Sequence, residues 1–423
     1  MDEQNKNLLV LQMGGPRPAI NAALAGIILT AGQYEEITEV YGVRNAPLGL
    51  VREELVDLLE EKRPTVQQIQ TLTVPALGCS LWGVSPQLET ELEQYEEEIF
   101  RVLEAHEIRY FIAIGGIEAV RLCRFVHKAA QNRGYEVMVN AIPVSPANDL
   151  PYTEHSLGYG SYIRQAMLFL RMLERDLALR PKGEVPCCIV ETGGWTTGWE
   201  SLGPACFSRF ASEVPVKALI PEMPMDVKEV AEQMASLIRE HGSAILLVPD
   251  GMRNRDGSLW AREGFGWDYF GQSVGQSAGA VLVEVLQSKI SGFVSRLRLP
   301  TLIRWWSAPS SGTDIEETFR CGRTVVEACI NQQTGLMAKV RRESVKPYRS
   351  TILFHPLDEV LAGTNPVPKE WYDDLDWRPK DAFWRYVEPI LQGDAPAAFQ
   401  RGLPKSVGLQ LVPVTPRVHS QAI

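Results

Sequence analysis

Gly14-Gly15, Gly115-Gly116 and Gly193-Gly194 each follow directly on a short apolar run in this chain of 423 residues. Glycine lets a backbone approach a ligand closely, and a helix that starts just past such a turn aims free N–H groups at an anion. The chemistry suggested is that of phosphate. Phosphoryl transfer works mainly by positioning and charge stabilisation, with carboxylates holding magnesium and a base orienting the attacking hydroxyl. Asp149, Glu118, Glu191 and His155 are the titratable groups near these turns and the candidates for acid/base work. Gly14, Gly15, Arg17, Arg44, Gly115, Gly116 and Gly194 are the candidate ligand contacts, joined further along by Glu222 and Arg304. One residue is out of place: directly after Gly115-Gly116, where a metal-holding carboxylate is wanted, the chain has Ile117. No metal-ligand set can be named from these residues.

The elements that must position them alternate between short apolar runs and stretches of helical period, the pattern of βαβ units and a parallel sheet. "NLLVLQM", "RYFIAI", "VMVNAIPV", "VPCCIVET" and "SAILLVPDG" read as buried strands, and "DVKEVAEQMASLIREHG" as an amphipathic surface helix closed by glycine. Four of the strands run into Gly-, Pro- or Asp-rich turns. Ligands of open α/β sheets bind outside such carboxyl ends, so the active face is set by the strand order of the sequence. The expected division is an N-terminal α/β lobe over 1–150, a second α/β lobe over 151–260, a return segment shared between lobes over 261–342, and an extension over 343–423. That extension is dense in Trp and other aromatics and is expected to pack on the body or on an oligomer contact, since exposed aromatics at this density would promote aggregation.

Composition excludes several classes. A formal net charge of −10 without a clustered basic patch argues against a nucleic-acid partner. The longest apolar stretches fall short of the ~20 residues of a membrane span, and the N-terminus has no secretory leader pattern. A cytoplasmic protein is expected. The seven cysteines show no CxxC spacing, so neither a disulfide framework nor a zinc site is indicated; Cys187-Cys188 read as buried strand thiols.

The order of the turns resembles the phosphofructokinases, particularly their pyrophosphate-dependent branch. "GGPRPAINAALAG" is similar to the family's first glycine loop, "VYGVRN" to the next turn and "NDLPYTEHSLGYGS" to the segment after the catalytic aspartates. "IVETGGWTTGW", "LIPEMPMD", "DYFGQSVGQSAG" and "PYRSTILFHPLDEVLAG" carry the likeness almost to the C-terminus. The resemblance implies a two-lobe α/β fold, each lobe a mainly parallel sheet flanked by helices, with a C-terminal extension. It also implies a homo-oligomer, dimer or tetramer, or a hetero-oligomer with a paralogue.

Against the family pattern the site is altered. Ile117 stands where the family has Asp or Asn. In the motif that reads roughly K-T-I-D-N-D, this chain has Val144, Ser145, Pro146, Ala147, Asn148 and Asp149: the position of the catalytic base is Ala147, and that of the lysine linked to pyrophosphate use is Val144. Three sugar-phosphate arginines correspond to Leu81, Trp195 and Trp306. At ~1.5–3 kcal/mol per charge-assisted hydrogen bond, their loss would remove on the order of 4–9 kcal/mol if additive. Trp82, Trp195, Trp199 and Trp306 are expected to line the old pocket, turning a cationic cradle into an aromatic surface. The expectation from these replacements is a scaffold that has lost 6-phosphofructokinase phosphoryl transfer and been repurposed for another small-molecule ligand. A silent regulatory subunit of an intact paralogue is one alternative. The other is an active fructose-6-phosphate phosphotransferase with a rebuilt site, which would use magnesium and pyrophosphate or ATP.

Overall fold

A computed structural model describes residues 6–80, 82, 88–211, 213–262, 276–306, 309–395, 399–405 and 407–418. Two parallel-rich sheets organise the chain. The first contains β1 (Asn7–Gln12), β2 (Val40–Val43), β3 (Leu55–Asp57), β4 (Ile108–Gly115) and β5 (Met138–Pro143). The second contains β6 (Cys187–Thr192), β7 (Val216–Ala218), β8 (Ala244–Pro249) and β9 (Val294–Arg298). The chain then returns to the first sheet with β10 (Leu336–Val345), β11 (Tyr348–Pro356) and finally β12 (Val412–Pro413). Spatial order is β11-β10-β5-β4-β1-β2-β3-β12 in the first sheet and β7-β8-β6-β9 in the second.

The central strands pair in parallel, β1 with β2 and β4, β4 with β5, and β6 with β8 and β9. Parallel sheets are covered on both faces, which requires near-continuous apolar runs in place of alternation. Accordingly every residue of β1, β6 and β8 is buried. The turns at the ends of β1, β4, β5, β6 and β8 are those marked from sequence, so the glycine pairs lie at carboxyl ends of the strands.

Helices cover these sheets: α1 (Ile20–Ala31), α2 (Ile117–Arg133), α3 (Tyr159–Leu179), α4 (Trp199–Ala205), α5 (Val227–His241), α6 (Ala278–Gln287), α7 (Leu299–Ile303) and α8 (Gly312–Ile330). The returning α8 joins the first lobe by close approach to α1. A Cβ on Gly26 would lie 2.2 Å from the Phe319 carbonyl oxygen, and one on Gly322 2.2 Å from that of Ala23. Glycine at both positions is what lets the two helix backbones meet.

The aromatic extension packs on the body. Val367, Tyr372, Trp377, Phe383 and Tyr386 belong to the same buried core as β6, β8 and Trp199. Trp199 lies within 6.1 Å, ring centre to ring centre, of Trp371, Phe383 and Tyr386, and its indole N–H donates to the Asn365 carbonyl at 2.6 Å. The expected pocket wall at Trp199 is therefore corrected: this side chain is core, because the extension supplies the aromatic partners that bury it. All seven cysteines are free, and Cys187 and Cys188 are buried, with burial pushing the Cys188 thiol up to about 12. Among the described residues no helix is long and apolar enough to cross a membrane.

Candidate functional site

The first glycine turn is occupied by the protein's own charges. Gly14 and Gly15 adopt φ of 86° and 80°, values that favour glycine, and open a space at the carboxyl end of β1. Arg17 folds back into it. Its guanidinium donates to the Gly14 carbonyl at 2.6 Å and the Val144 carbonyl at 2.7 Å, and pairs with Glu118 at 3.0 Å. A Cβ on Gly14 would lie 1.8 Å from Arg17 Nη2 and 2.1 Å from Glu118 Oε1. Glu118 also accepts from the Gly116 N–H at 3.1 Å, capping the start of α2. The glycines at 14 and 116 thus make room for an Arg17–Glu118 pair at the mouth of two phosphate-type turns. The Val144 contact sets a cation beside the position where the family has lysine.

The turn after β5 is rigid. Asn148 is buried with φ of 50°, an unusual value that its side chain and backbone hold in place. Its amide donates to the Tyr386 hydroxyl at 3.2 Å, its side-chain oxygen accepts from the Ser156 N–H at 2.7 Å, and its carbonyl accepts from Asn365 at 2.7 Å. The Ala147 N–H donates to the Ser145 hydroxyl at 3.2 Å, and that hydroxyl reaches Asp149 at 3.5 Å. Burial, aided by the neighbouring Glu118 charge, raises the Asp149 carboxyl above its ordinary range. Hydrogen bonds from Ser145 and Asn148 hold the turn that presents positions 147 and 149, with a methyl group at 147.

From the second lobe comes a carboxylate that the sequence reading did not single out. Glu200 lies in the first turn of α4 and is 8% exposed. Its carboxyl group lies over the turn after β6: a Cβ on Gly193 would be 1.7 Å from Glu200 Oε2. Burial pushes Glu200 up to about 7; Arg304 and Arg17 oppose the shift, and Asp149 and Asp250 add to it. These four charges come from both lobes, so Glu200 sits where the lobes meet. The available signal was a Glu directly after an apolar Trp in a glycine-rich turn, which only the fold could aim.

Other sequence candidates are held in pairs. Glu191 is 2% exposed and is bound by Arg296 at 3.3 Å and by the Ser277 hydroxyl. His155 is buried against Glu317 at 3.0 Å; burial alone would lower its pKa, but Glu317 together with Asp314 and Glu154 makes the net shift upward. Glu222 Oε1 accepts from the N–H groups of Gly198 at 3.1 Å and Val367 at 2.8 Å, tying the extension to α4, while Oε2 is buried without a partner among the described residues. Gly194 has φ of 101°, and its carbonyl accepts from Gly251 at 3.0 Å. Arg44 is exposed after β2, and Arg304 is half-buried after α7.

The tryptophans do not form one wall. Trp82 packs edge-on against Tyr95 at 5.4 Å beside the first lobe's core, whereas Trp195 and Trp306 are 53% and 39% exposed. Leu81 and most of "DYFGQSVGQSAG" lie outside the described residues.

Among the described residues no group of three or more His, Cys, Asp or Glu side chains could hold a metal by itself. Magnesium is commonly bound through one or two carboxylates together with substrate phosphates. Asp149, with the Glu118 charge near enough to raise its carboxyl, and Glu118 itself fit that smaller requirement.

Comparison with known proteins places this geometry. A relative from Halomonas elongata named pyrophosphate–fructose 6-phosphate 1-phosphotransferase is 25% identical over 94% of this chain and 95% of its own length. One of the same name from Methylococcus capsulatus is 27% identical over 96% of each. The crystal structure of a pyrophosphate-dependent phosphofructokinase from Nitrosospira multiformis superposes with a TM-score of 0.87 at 23% identity, covering 99% of this chain and 100% of that one. Those relatives overturn the expectation of lost phosphoryl transfer and a repurposed aromatic pocket: likeness to named phosphotransferases runs from end to end, and Arg17 sets a cation beside Val144. The phosphofructokinase family model matches residues 7–304, and the chain belongs to the phosphofructokinase family.

Proposed function

We propose that the protein is a pyrophosphate-dependent phosphotransferase acting on the 1-hydroxyl of fructose 6-phosphate. The observation that carries this reading is the full-length similarity to relatives of that name. Site geometry supports it. Arg17 supplies a cation beside Val144, and its place among the glycine turns supports a donor site there, reached when the donor displaces part of its pairing with Glu118. Glu118 and Asp149 are the residues to hold magnesium, which when bound would neutralise charge on the transferred phosphoryl group. Arg304 and the turn at Gly194 adjoin the altered sugar-phosphate positions Trp306 and Trp195 in sequence. With the three arginine positions replaced, weak sugar-phosphate binding is expected, and turnover at saturating substrate is the quantity to measure.

The test is fructose 1,6-bisphosphate formation by the purified protein given fructose 6-phosphate, magnesium and either pyrophosphate or ATP. Turnover within ~1–10³ per second with pyrophosphate is the expected result. No product with either donor would reject the reading, and product with ATP alone would reject the donor. A homo-oligomer remains part of the proposal: Leu168, Met172 and Phe210 are exposed apolar side chains on and beside α3, and sedimentation velocity would detect the dimer or tetramer.

A further inference from the structure

A phosphotransferase must take the proton from the hydroxyl that attacks phosphorus, and position 147 has no group to do it. The turn that presents Ala147 is nevertheless held by Asn148 through three hydrogen bonds. What the first lobe lacks, the second lobe offers. Glu200 is more than nine-tenths buried, its carboxylate has no hydrogen-bond donor among the described residues, and it occupies space that only glycine at 193 leaves open.

We propose that Glu200 is the general base of this enzyme, taking over across the interlobe cleft the role of the missing carboxylate at position 147. The inference rests on the phosphotransferase reading above. In the step, the sugar 1-hydroxyl oxygen forms a bond to the terminal phosphorus of pyrophosphate, the bridging P–O bond breaks, inorganic phosphate leaves, and the hydroxyl proton passes to Glu200.

Charged and titratable groups around Glu200 fit that task. Asp149 and Arg17 face it from the first lobe, Asp250 and Arg304 from the second. Tyr162, on α3 beneath, donates its hydroxyl to the Glu200 carbonyl at 2.9 Å and stays neutral in the working range, because burial raises it well above its ordinary value. Asp250 is committed to Arg298 at 3.2 Å through both oxygens, and Asp149 to Ser145. Glu200 is therefore the carboxylate of this group without a protein partner, and its upward shift places its titration near neutrality, where a general base is most effective.

Pyrophosphate-driven turnover of fructose 6-phosphate should be followed from pH 5.5 to 9, a range of about 3.5 units chosen to bracket a neutral titration, for the parent, Glu200→Gln, Glu200→Asp, and Glu200→Gln combined with Ala147→Asp. The parent should show kcat rising with pH through neutrality. Glu200→Gln should lower kcat by ~10²–10⁴-fold with KM little changed and should lose that rise. Glu200→Asp should retain part of the activity. Ala147→Asp in the Gln background should restore turnover with the rise moved to lower pH. Circular dichroism checks that each variant is folded; Gln is isosteric, so the fold is expected to persist. An active parent with Glu200→Gln within twofold of it and the same pH profile would overturn the base assignment alone. A parent inactive with both donors would overturn the functional reading and this assignment together.

Discussion

Glu191 and Glu200 flank the same glycine turn, one on each side, and the fold treats them in opposite ways. Glu191 ends β6 facing α6 and β9, where Arg296 and Ser277 satisfy it. Glu200 lies in the first turn of α4 with its carboxyl group against Gly193 and no hydrogen-bond donor among the described residues; burial raises it, Arg304 and Arg17 oppose the shift, and Asp149 and Asp250 add to it. Buried charges are normally paired, and one left unpaired is costly. The difference teaches that burial alone does not identify a working carboxylate in this lobe. A buried carboxylate with partners holds strands together, whereas one without partners has its proton available for exchange.

The comparison breaks or sharpens first on turnover. Isosteric replacement of each in turn, Glu191→Gln and Glu200→Gln, should lower the initial rate by ~10²–10⁴-fold for Glu200 only. Equal losses would erase the distinction. Next in size is the pair at the other side of the cleft. Arg17→Ala strands Glu118 and two carbonyls, and breaking a buried pair by removing one partner costs about 3–5 kcal/mol, read by urea unfolding.

A third test uses stability instead of rate. The folded Glu200 carboxyl titrates near 7 against an ordinary 4.5, so the folded state keeps a proton that the unfolded chain releases between those values. Stability falls as pH rises from about 4.5 to about 7 and is flat beyond, an effect of about 3 kcal/mol at most. Glu200→Gln should remove it: the variant's gain over the parent should be near zero at about pH 4.5 and largest at about pH 8. A gain independent of pH would contradict the unpaired-carboxylate account. The smallest effect is expected for Glu191→Gln, about 1–3 kcal/mol of lost stability from weakened charge-assisted hydrogen bonds, with the pH profile of turnover unchanged.

Much of the fold was legible in the chain. The runs at 7–12, 108–115, 138–143, 187–192 and 244–249 had to be strands of a covered sheet, because short, mostly apolar runs without polar alternation and followed by Gly- or Pro-containing turns leave no solvent face. The glycine pairs had to lie at strand ends for the same reason. Family membership was legible too, from the order of the turns. The functional weight of the substitutions was not. Reading Ala147 and Val144 as losses compared each position with its own motif, whereas the cation beside Val144 comes from Arg17, distant in sequence.

Sequence by itself determined the parallel strands, the helices between them and the glycine turns at their carboxyl ends, since these follow from local periodicity and backbone freedom. Only the tertiary structure decided which charged groups meet. Arg17 reaches Val144 and Glu118 because β1, β4 and β5 lie side by side. Asp149 comes near enough to act on Glu200 although the two follow strands of different sheets of the fold. Trp199 leaves the pocket because the aromatic extension folds back over it. Each is a long-range contact, set by packing between segments whose separation along the chain carries no signal of their approach.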